Sequence, residues 1–352
     1  MENIESFKKI ENELNHKNIE ERVLFECPEE VKGKVHWVEL TENGDSVEAK
    51  LYNPETPNNE VIILMPGIPG DFTSFFESKH IPRILEEGYT ICSIRRNGVV
   101  FNEKNNCLIN SDQRLLLAQQ SQQEHLGRKD SYSISDWIKE IEIVARRLLP
   151  KYQKVYFLGH SLGGFEIYQA VCNLQQQLSQ SEFEKIAGIL TLSGSIGKIK
   201  EGDVIDPITG MSADYFQKYL EYLEKENIVR LNSMETIKQY EKINNGLYNR
   251  IDRLPPSVNA TFVAALGDEF ISVSSALDLR EKLRFGRVLM DYRQKRKDEG
   301  QVHDYPRLRP EDVMRWLTHK GYPPKARESL NKYYFSEITR NKMEENWERY
   351  SK

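Results

Sequence analysis

The stretch Val155-Tyr156-Phe157-Leu158-Gly159-His160-Ser161-Leu162-Gly163-Gly164-Phe165 decides how the rest of the chain is interpreted. An apolar run typical of a buried strand leads into a Gly-x-Ser-x-Gly pattern and then into a segment compatible with a helix. A serine at a tight turn between a strand and a helix needs neighbours without bulky side chains, and Gly159 and Gly163 meet that need. The first turn of a helix also leaves backbone N–H groups beside Ser161, where a developing negative charge can be bound.

Similar apolar runs recur on both sides of this stretch and alternate with segments of helical periodicity. Short apolar runs bounded by turn residues are typical of a mostly parallel sheet covered by helices. The predicted strands are 61–65, 90–94, 155–158, 189–192, 261–266 and 288–290, with helices at 135–149, where Ser135 is the expected N-cap, and from about Pro310. Two runs of alternating polarity, 35–40 and 46–52, flank Asn43-Gly44 and predict an antiparallel hairpin at the edge of the sheet.

The strand, serine turn and helix around Ser161 resemble the α/β-hydrolase superfamily, and the resemblance extends from about residue 35 to about residue 320. It implies an α/β-hydrolase fold, in which helices flank an eight-stranded, mostly parallel sheet. The expected domains are an N-terminal extension at 1–34, a core at 35–197 and 258–322, a helical cap at 198–257 and a helical tail at 323–352.

Two loops downstream of Ser161 are expected to complete a catalytic triad, because the superfamily order is serine, acid, histidine. The predicted strand 261–266 is followed by two adjacent carboxylates. Asp268 is the expected acid, and Glu269 is the alternative. His303 lies in a segment that resembles the histidine loop of the superfamily.

The turn Pro66-Gly67-Ile68-Pro69-Gly70 directly follows the predicted strand 61–65 and matches the position of the superfamily's oxyanion turn. Met65 stands where many members have histidine. The resemblance implies that an oxyanion is bound by two backbone N–H groups, those of Ile68 and Leu162.

These residues predict a serine hydrolase that cleaves a carboxylic ester or thioester through an acyl-enzyme, with no cofactor and no metal ion. The alternatives are a serine peptidase or amidase, and a ligand-binding protein that has the fold without turnover. In the predicted cap, Tyr215, Phe216 and Tyr219 recur at helical spacing and are candidates to line a pocket for a small-molecule acyl substrate, lipids included. Aromatic residues at this spacing also occur in packed cores.

Composition and charge exclude several other classes of protein. The 352 residues carry 49 Lys plus Arg against 54 Asp plus Glu, a formal net charge of −5, which disfavours a nucleic-acid partner. No apolar run approaches the roughly 18 residues of a membrane span, and the first residues lack the pattern of a secretory signal, so a cytoplasmic location is expected. The 4 cysteines form no C-x-x-C pair, which predicts neither a disulfide framework nor a zinc site.

Overall fold

The computed structural model describes residues 20–27, 31–70, 75–100, 127, 129–194, 213–250, 254–255, 257–265, 279, 287–291 and 310–318. The strands in these ranges are β1 (Glu20–Cys27), β2 (Gly33–Glu42), β3 (Asp45–Pro54), β4 (Glu60–Met65), β5 (Thr90–Arg95), β6 (Lys154–His160), β7 (Ile186–Leu192), β8 (Asn259–Ala265) and β9 (Arg287–Asp291). The helices are α1 (Phe75–Glu86), α2 (Ile134–Leu148), α3 (Leu162–Gln177), α4 (Gln180–Phe183), α5 (Ala213–Lys225), α6 (Ser233–Arg250) and α7 (Pro310–Thr318).

The described strands form one sheet in the order β1-β2-β3-β5-β4-β6-β7-β8-β9. Strands β4 to β9 run parallel to one another, and β1 to β3 pair antiparallel at one edge. The predicted fold class is therefore confirmed. Strands β2 to β9 correspond to the expected eight-stranded sheet, and β1, which lies within the range 1–34, adds a further strand beside β2.

The hairpin between β2 and β3 is confirmed with its expected turn. Glu42 pairs with Asp45, so that Asn43 and Gly44 alone connect the strands. Both residues have positive φ, 50° and 89°. A two-residue turn of this kind matches the right-handed twist of the flanking strands, which is why Asn-Gly favours it.

The two faces of the sheet bury separate apolar clusters, and β4 shows how one strand serves both. Val61, Ile63 and Met65 belong to the cluster under α2 and α3, to which α5 and α6 also contribute. Ile62 and Leu64 face the cluster formed with α1 and α7. Because side chains alternate along a strand, a strand covered on both faces is apolar along its buried length, as β4 is from Val61 to Met65.

Helix α2 begins at Ile134, and its N-cap is Ser133 rather than the predicted Ser135. The backbone N–H and the hydroxyl of Ser133 both donate to the Asp136 carboxylate, at 2.9 Å each. A carboxylate three residues after the cap fixes the first turn in this way, so Asp136 moves the start of the helix to the earlier serine.

The range 198–257 contains α5 and α6, and the segment between these helices is tied to the chain that follows β5. The N–H of Val100 donates to the Ile228 carbonyl at 3.0 Å, and the N–H of Arg230 donates to the Gly98 carbonyl at 2.7 Å. The carbonyl of Arg230 also accepts from the N–H of Tyr132, just before α2. The two helices are thereby attached at the carboxyl end of β5.

In the part of the chain that the structure describes, no helix is long and apolar enough to cross a membrane.

Candidate active site

Ser161 is the single residue between the last residue of β6 and the first residue of α3, and its backbone is strained. Its φ is 52° and its ψ is −126°, outside the regions that L-residues populate. The turn is held on both sides, because the N–H of Ser161 donates to the Leu192 carbonyl at 2.8 Å and its carbonyl accepts from the N–H of Gly164 at 2.9 Å. The residue is partly exposed. The strand-to-helix turn therefore presents this serine at the surface of the fold.

The glycines around Ser161 lie where no side chain can be placed. A Cβ on Gly159 would be 2.5 Å from the carbonyl oxygen of Gly163, and a Cβ on Gly163 would be 2.3 Å from the carbonyl oxygen of Met65. Both neighbours are backbone atoms that cannot rotate away. The clearance that the sequence predicted for Gly159 and Gly163 is confirmed.

The loop 66–70 lies directly beside this turn. Met65, the last residue of β4, pairs with Gly159 of β6, so the two parallel strands end side by side. A Cβ on Gly67 would be 2.9 Å from the Cβ of Ser161. The loop is closed by a hydrogen bond from the N–H of Gly70 to the Gly67 carbonyl at 2.6 Å. The loop that carries Ile68 and the helix that begins with Leu162 therefore meet at Ser161.

A fully buried arginine, which sequence reasoning missed, lies behind the turn. Arg96 Nη1 donates to Glu166 Oε1 at 2.5 Å, and Arg96 Nη2 donates to the Pro66 carbonyl at 2.8 Å. The exposed fraction of both charged side chains is 0%. The guanidinium lies over the Trp137 ring, with Cζ 4.6 Å from the ring centroid. The available sequence signal was a pair of arginines at the end of an apolar strand, where solvent-exposed charges were not expected.

A second buried carboxylate, that of Glu140 on α2, completes this charged cluster. Its Oε2 accepts from the N–H of Asn97 at 3.4 Å. Burial raises the pKa of Glu140 well above its ordinary value, and the nearby charge of Arg96 opposes that rise. Burial also raises the pKa of Glu166, against the hydrogen bond and charge of Arg96. Because Arg96 contacts Glu166 directly, Glu140 is the carboxyl that holds a proton most readily.

The other predicted triad residues, Asp268 and His303, and the alternative acid Glu269 lie outside the described residues. Their roles stay predictions. Among the residues that are described, no group of three or more His, Cys, Asp or Glu side chains is placed to hold a metal ion.

The three aromatic candidates on α5 differ in their surroundings. Phe216 is 6% exposed and packs in the core, with its ring centroid 4.8 Å from that of Tyr240. Tyr219 is half-buried and donates from its hydroxyl to the Ile68 carbonyl at 3.3 Å. The backbone of Tyr215 lies in α5, and its side chain is outside the described part. Tyr219 therefore joins α5 to the loop 66–70.

No protein-family model matches this chain, and no curated protein matches its sequence. Solved structures do resemble it. A monoacylglycerol lipase from Paleococcus ferrophilus superposes with a TM-score of 0.51 at 13% identity, over 78% of this chain and 99% of that chain. A soluble variant of the monoglyceride lipase from Saccharomyces cerevisiae, in complex with a substrate analog, gives 0.51 at 11% identity, over 84% and 99%.

An esterase from Pyrococcus furiosus gives a TM-score of 0.50 at 13% identity, over 84% of this chain and 92% of that chain. At such identities the likeness concerns the fold, and it covers nearly the whole of each of these hydrolases. Together with the strand order and the serine turn after β6, it shows that this chain has the α/β-hydrolase fold.

Proposed function

We propose that this protein is a serine hydrolase that cleaves a carboxylic ester or thioester through an acyl-enzyme, with Ser161 as its nucleophile. The observation that carries the proposal is the backbone of Ser161, with φ 52° and ψ −126°. This conformation costs a non-glycine residue about 1–3 kcal/mol, and such strain clusters at functional sites. The surrounding glycines and backbone hydrogen bonds hold the conformation in place and leave the serine partly exposed.

In the proposed reaction, His303 takes the proton from Ser161 Oγ as that oxygen attacks the acyl carbon. Asp268 orients the imidazole. The N–H groups of Ile68 and Leu162 donate to the oxyanion of the tetrahedral intermediate. His303 then protonates the leaving oxygen or sulfur, and in the second half of the cycle it activates the water that releases the acid.

The proximity of the loop 66–70 to the serine turn supports the oxyanion assignment. Leu162 is the first residue of α3, so its N–H has no acceptor within the helix. Ile68 belongs to the loop whose Gly67 lies against Ser161. Each such donor contributes about 10²–10³-fold in kcat in known cases, so the proposal needs both.

For the substrate we propose a small acyl ester first, since the solved structures of similar fold are named as an esterase and as monoacylglycerol or monoglyceride lipases. The hydrogen bond from Tyr219 to the loop 66–70 supports a contribution of α5 to the proposed acyl pocket. Tyr215 is the second pocket candidate on this helix. Phe216 supports the helix from within the core.

A fluorophosphonate probe on the purified chain tests the nucleophile, with adducts located by mass spectrometry. We expect one adduct, on Ser161, that is lost in Ser161→Ala. Ser193→Ala is a matched control, because Ser193 also has a positive φ, 48°, at the end of the neighbouring strand but is fully buried. This variant should keep the adduct. Labelling at another serine contradicts the assignment.

A panel of p-nitrophenyl esters, monoacylglycerols, acyl thioesters and aminoacyl amides then ranks the bond that is cleaved. Turnover of esters or thioesters that vanishes in Ser161→Ala supports the proposal. Turnover of amides alone identifies a peptidase or amidase. A folded chain that neither reacts with the probe nor turns over any of these compounds contradicts the proposal and favours the alternative of a ligand-binding protein.

A further inference from the structure

One guanidinium connects the two segments that carry the proposed oxyanion donors. Arg96 donates to the carbonyl of Pro66, the first residue of the loop that contains Ile68. The same side chain donates to the carboxylate of Glu166, which lies one turn beyond Leu162 on α3. The N–H donors of a guanidinium are fixed in one plane, so these two contacts set the loop and the helix relative to each other.

The guanidinium is itself held from a third side. Its Cζ lies 4.6 Å from the centroid of the Trp137 ring. The indole is anchored in turn, because Trp137 Nε1 donates to the Asn97 carbonyl at 2.9 Å. With an exposed fraction of 0%, the arginine side chain has no solvent space in which to move.

The buried pair of Arg96 and Glu166 is not explained by stability alone. Two buried charges lose their hydration, and replacing a buried ion pair by apolar side chains of similar volume is often neutral or stabilising. The neighbouring arginine provides a comparison within the same chain. Arg95 is equally buried, but it lies on the opposite face of the sheet, with Cζ 5.4 Å from the centroid of the Trp37 ring.

We propose that Arg96 is a positioning residue, whose guanidinium fixes the loop 66–70 against the serine turn so that the N–H groups of Ile68 and Leu162 converge on one oxyanion. The inference rests on the proposed function for its catalytic consequence. The positioning itself is a property of the loop and can be measured without any substrate.

The first arm of the test measures hydrogen exchange of the backbone amides in peptides that contain residues 66–70. We expect Arg96→Met to accelerate this exchange at least tenfold. Arg95→Met is the matched control. It removes a buried arginine that is adjacent to Arg96 in the chain but lies on the opposite face of the sheet. It should leave exchange in the loop unchanged, even where it lowers the melting temperature.

The second arm measures kcat and KM on the best ester. We expect Arg96→Met to lower kcat about 10²–10³-fold with KM changed by less than a few-fold, because misplaced donors act on the transition state rather than on bound substrate. Arg96→Lys keeps the charge but loses the planar pair of donors, so it should restore the melting temperature more than it restores kcat. Arg95→Met should keep both constants.

The outcomes separate this inference from the proposed function. A wild-type chain that is inert to the probe and to every ester overturns the function, while loop exchange still decides the role of Arg96. An active chain in which Arg96→Met matches Arg95→Met in exchange and kcat overturns the inference. So does full recovery of kcat by Arg96→Lys, which would assign the arginine a charge-balancing role. If Arg96→Met does not fold, Glu166→Gln, which keeps the volume and weakens one of the two contacts, gives the same decision.

Discussion

At Ser161 the backbone conformation and the side chain make opposite demands. A φ of 52° with a ψ of −126° is the conformation of the first central residue in a type II′ turn, which glycine adopts without strain. We therefore expect Ser161→Gly to be more stable than Ser161→Ala by about 1 kcal/mol, within the 1–3 kcal/mol of such strain. Denaturant unfolding of the two variants measures this difference.

Both variants should lose hydrolysis by several orders of magnitude, because each lacks the nucleophile. A glycine variant that is less stable than the alanine variant would show that the turn is not strained. Losing a serine nucleophile lowers turnover roughly 10⁶-fold in known cases. Residual turnover above about 1% in either variant would therefore point to another nucleophile.

Glu140 gives the molecule a predictable pH dependence. Burial raises its pKa above the ordinary 4.5, so the folded chain binds this proton more tightly than the unfolded chain does. The resulting stabilisation is complete below pH 4.5 and is lost as the pH rises through the folded-state pKa. Glutamine cannot ionise. The melting temperature of Glu140→Gln, relative to wild type, should therefore rise between pH 4.5 and pH 8.

Glu142 is the control, since it is a buried glutamate on the same helix whose carboxylate accepts from Asn173 at 2.7 Å. Glu142→Gln should lower the melting temperature, because it weakens an established network. Melting curves at several pH values compare the two variants. A difference between Glu140→Gln and wild type that does not change with pH would contradict this account of the buried carboxyl.

Helix α5 packs into the core through Phe216 and contacts the loop 66–70 through Tyr219. Phe216→Ala should destabilise the chain by about 3–5 kcal/mol, because it removes a buried ring that packs on Tyr240. Tyr219→Phe removes only the hydroxyl that donates to the Ile68 carbonyl, so it should cost about 0.5–1.5 kcal/mol. Thermal or denaturant unfolding measures both.

The same two variants should differ in their effect on substrate preference. Tyr219→Phe is expected to change the ranking among p-nitrophenyl ester chain lengths, since Tyr219 contacts the loop beside the nucleophile. Any Phe216→Ala protein that remains folded should keep the wild-type ranking. If neither variant changes it, α5 does not determine specificity.

The junction between β4, β6 and α3 depends on the absence of a single side chain. Gly163→Ala would place a Cβ 2.3 Å from the Met65 carbonyl oxygen, and this contact can be relieved only by moving strand or helix. We expect it to abolish labelling of Ser161 and to destabilise the fold. Gly246→Ala lies inside α6, and no atom of the described residues lies within 4 Å of its new Cβ, so it should stabilise the chain by about 0.5–1 kcal/mol. Unfolding curves and probe labelling test the pair.

At the scale of the whole molecule, periodicity was sufficient to predict the sheet. Strands such as β4 are apolar on both faces, and the Asn43-Gly44 turn determines its hairpin locally. Strand β1 was not predicted. It carries four charged side chains in eight residues and is recognisable as a strand through its pairing with β2.

The turn around Ser161 could also be predicted, because its sequence pattern lies within Gly159–Gly163. The charged cluster around Arg96 could not be predicted. Arg96, Glu140 and Glu166 are far apart in the chain, and only the packing of α2 and α3 on one face of the sheet brings them together. A sequence pattern reports the neighbours of a residue along the chain, whereas the neutralisation of a buried charge depends on neighbours in space.

The strand order also determines when the serine turn can form during folding. Strands β1 to β3 pair with their neighbours in the chain, and such hairpins close within microseconds. Strand β4 instead pairs in parallel with both β5 and β6. Parallel pairs need a crossover connection, and such non-local pairs form slowly. A Cβ on Gly163 would meet the carbonyl oxygens of Met65 and Pro66 at the end of β4, so the turn at Ser161 is packed against that strand. We expect Ser161 to reach its strained conformation once β4 and β6 have paired. We therefore expect a chain in which β4 and β6 have not yet paired to lack the strained turn at Ser161, so that labelling of this proposed nucleophile would report on the completion of the central sheet.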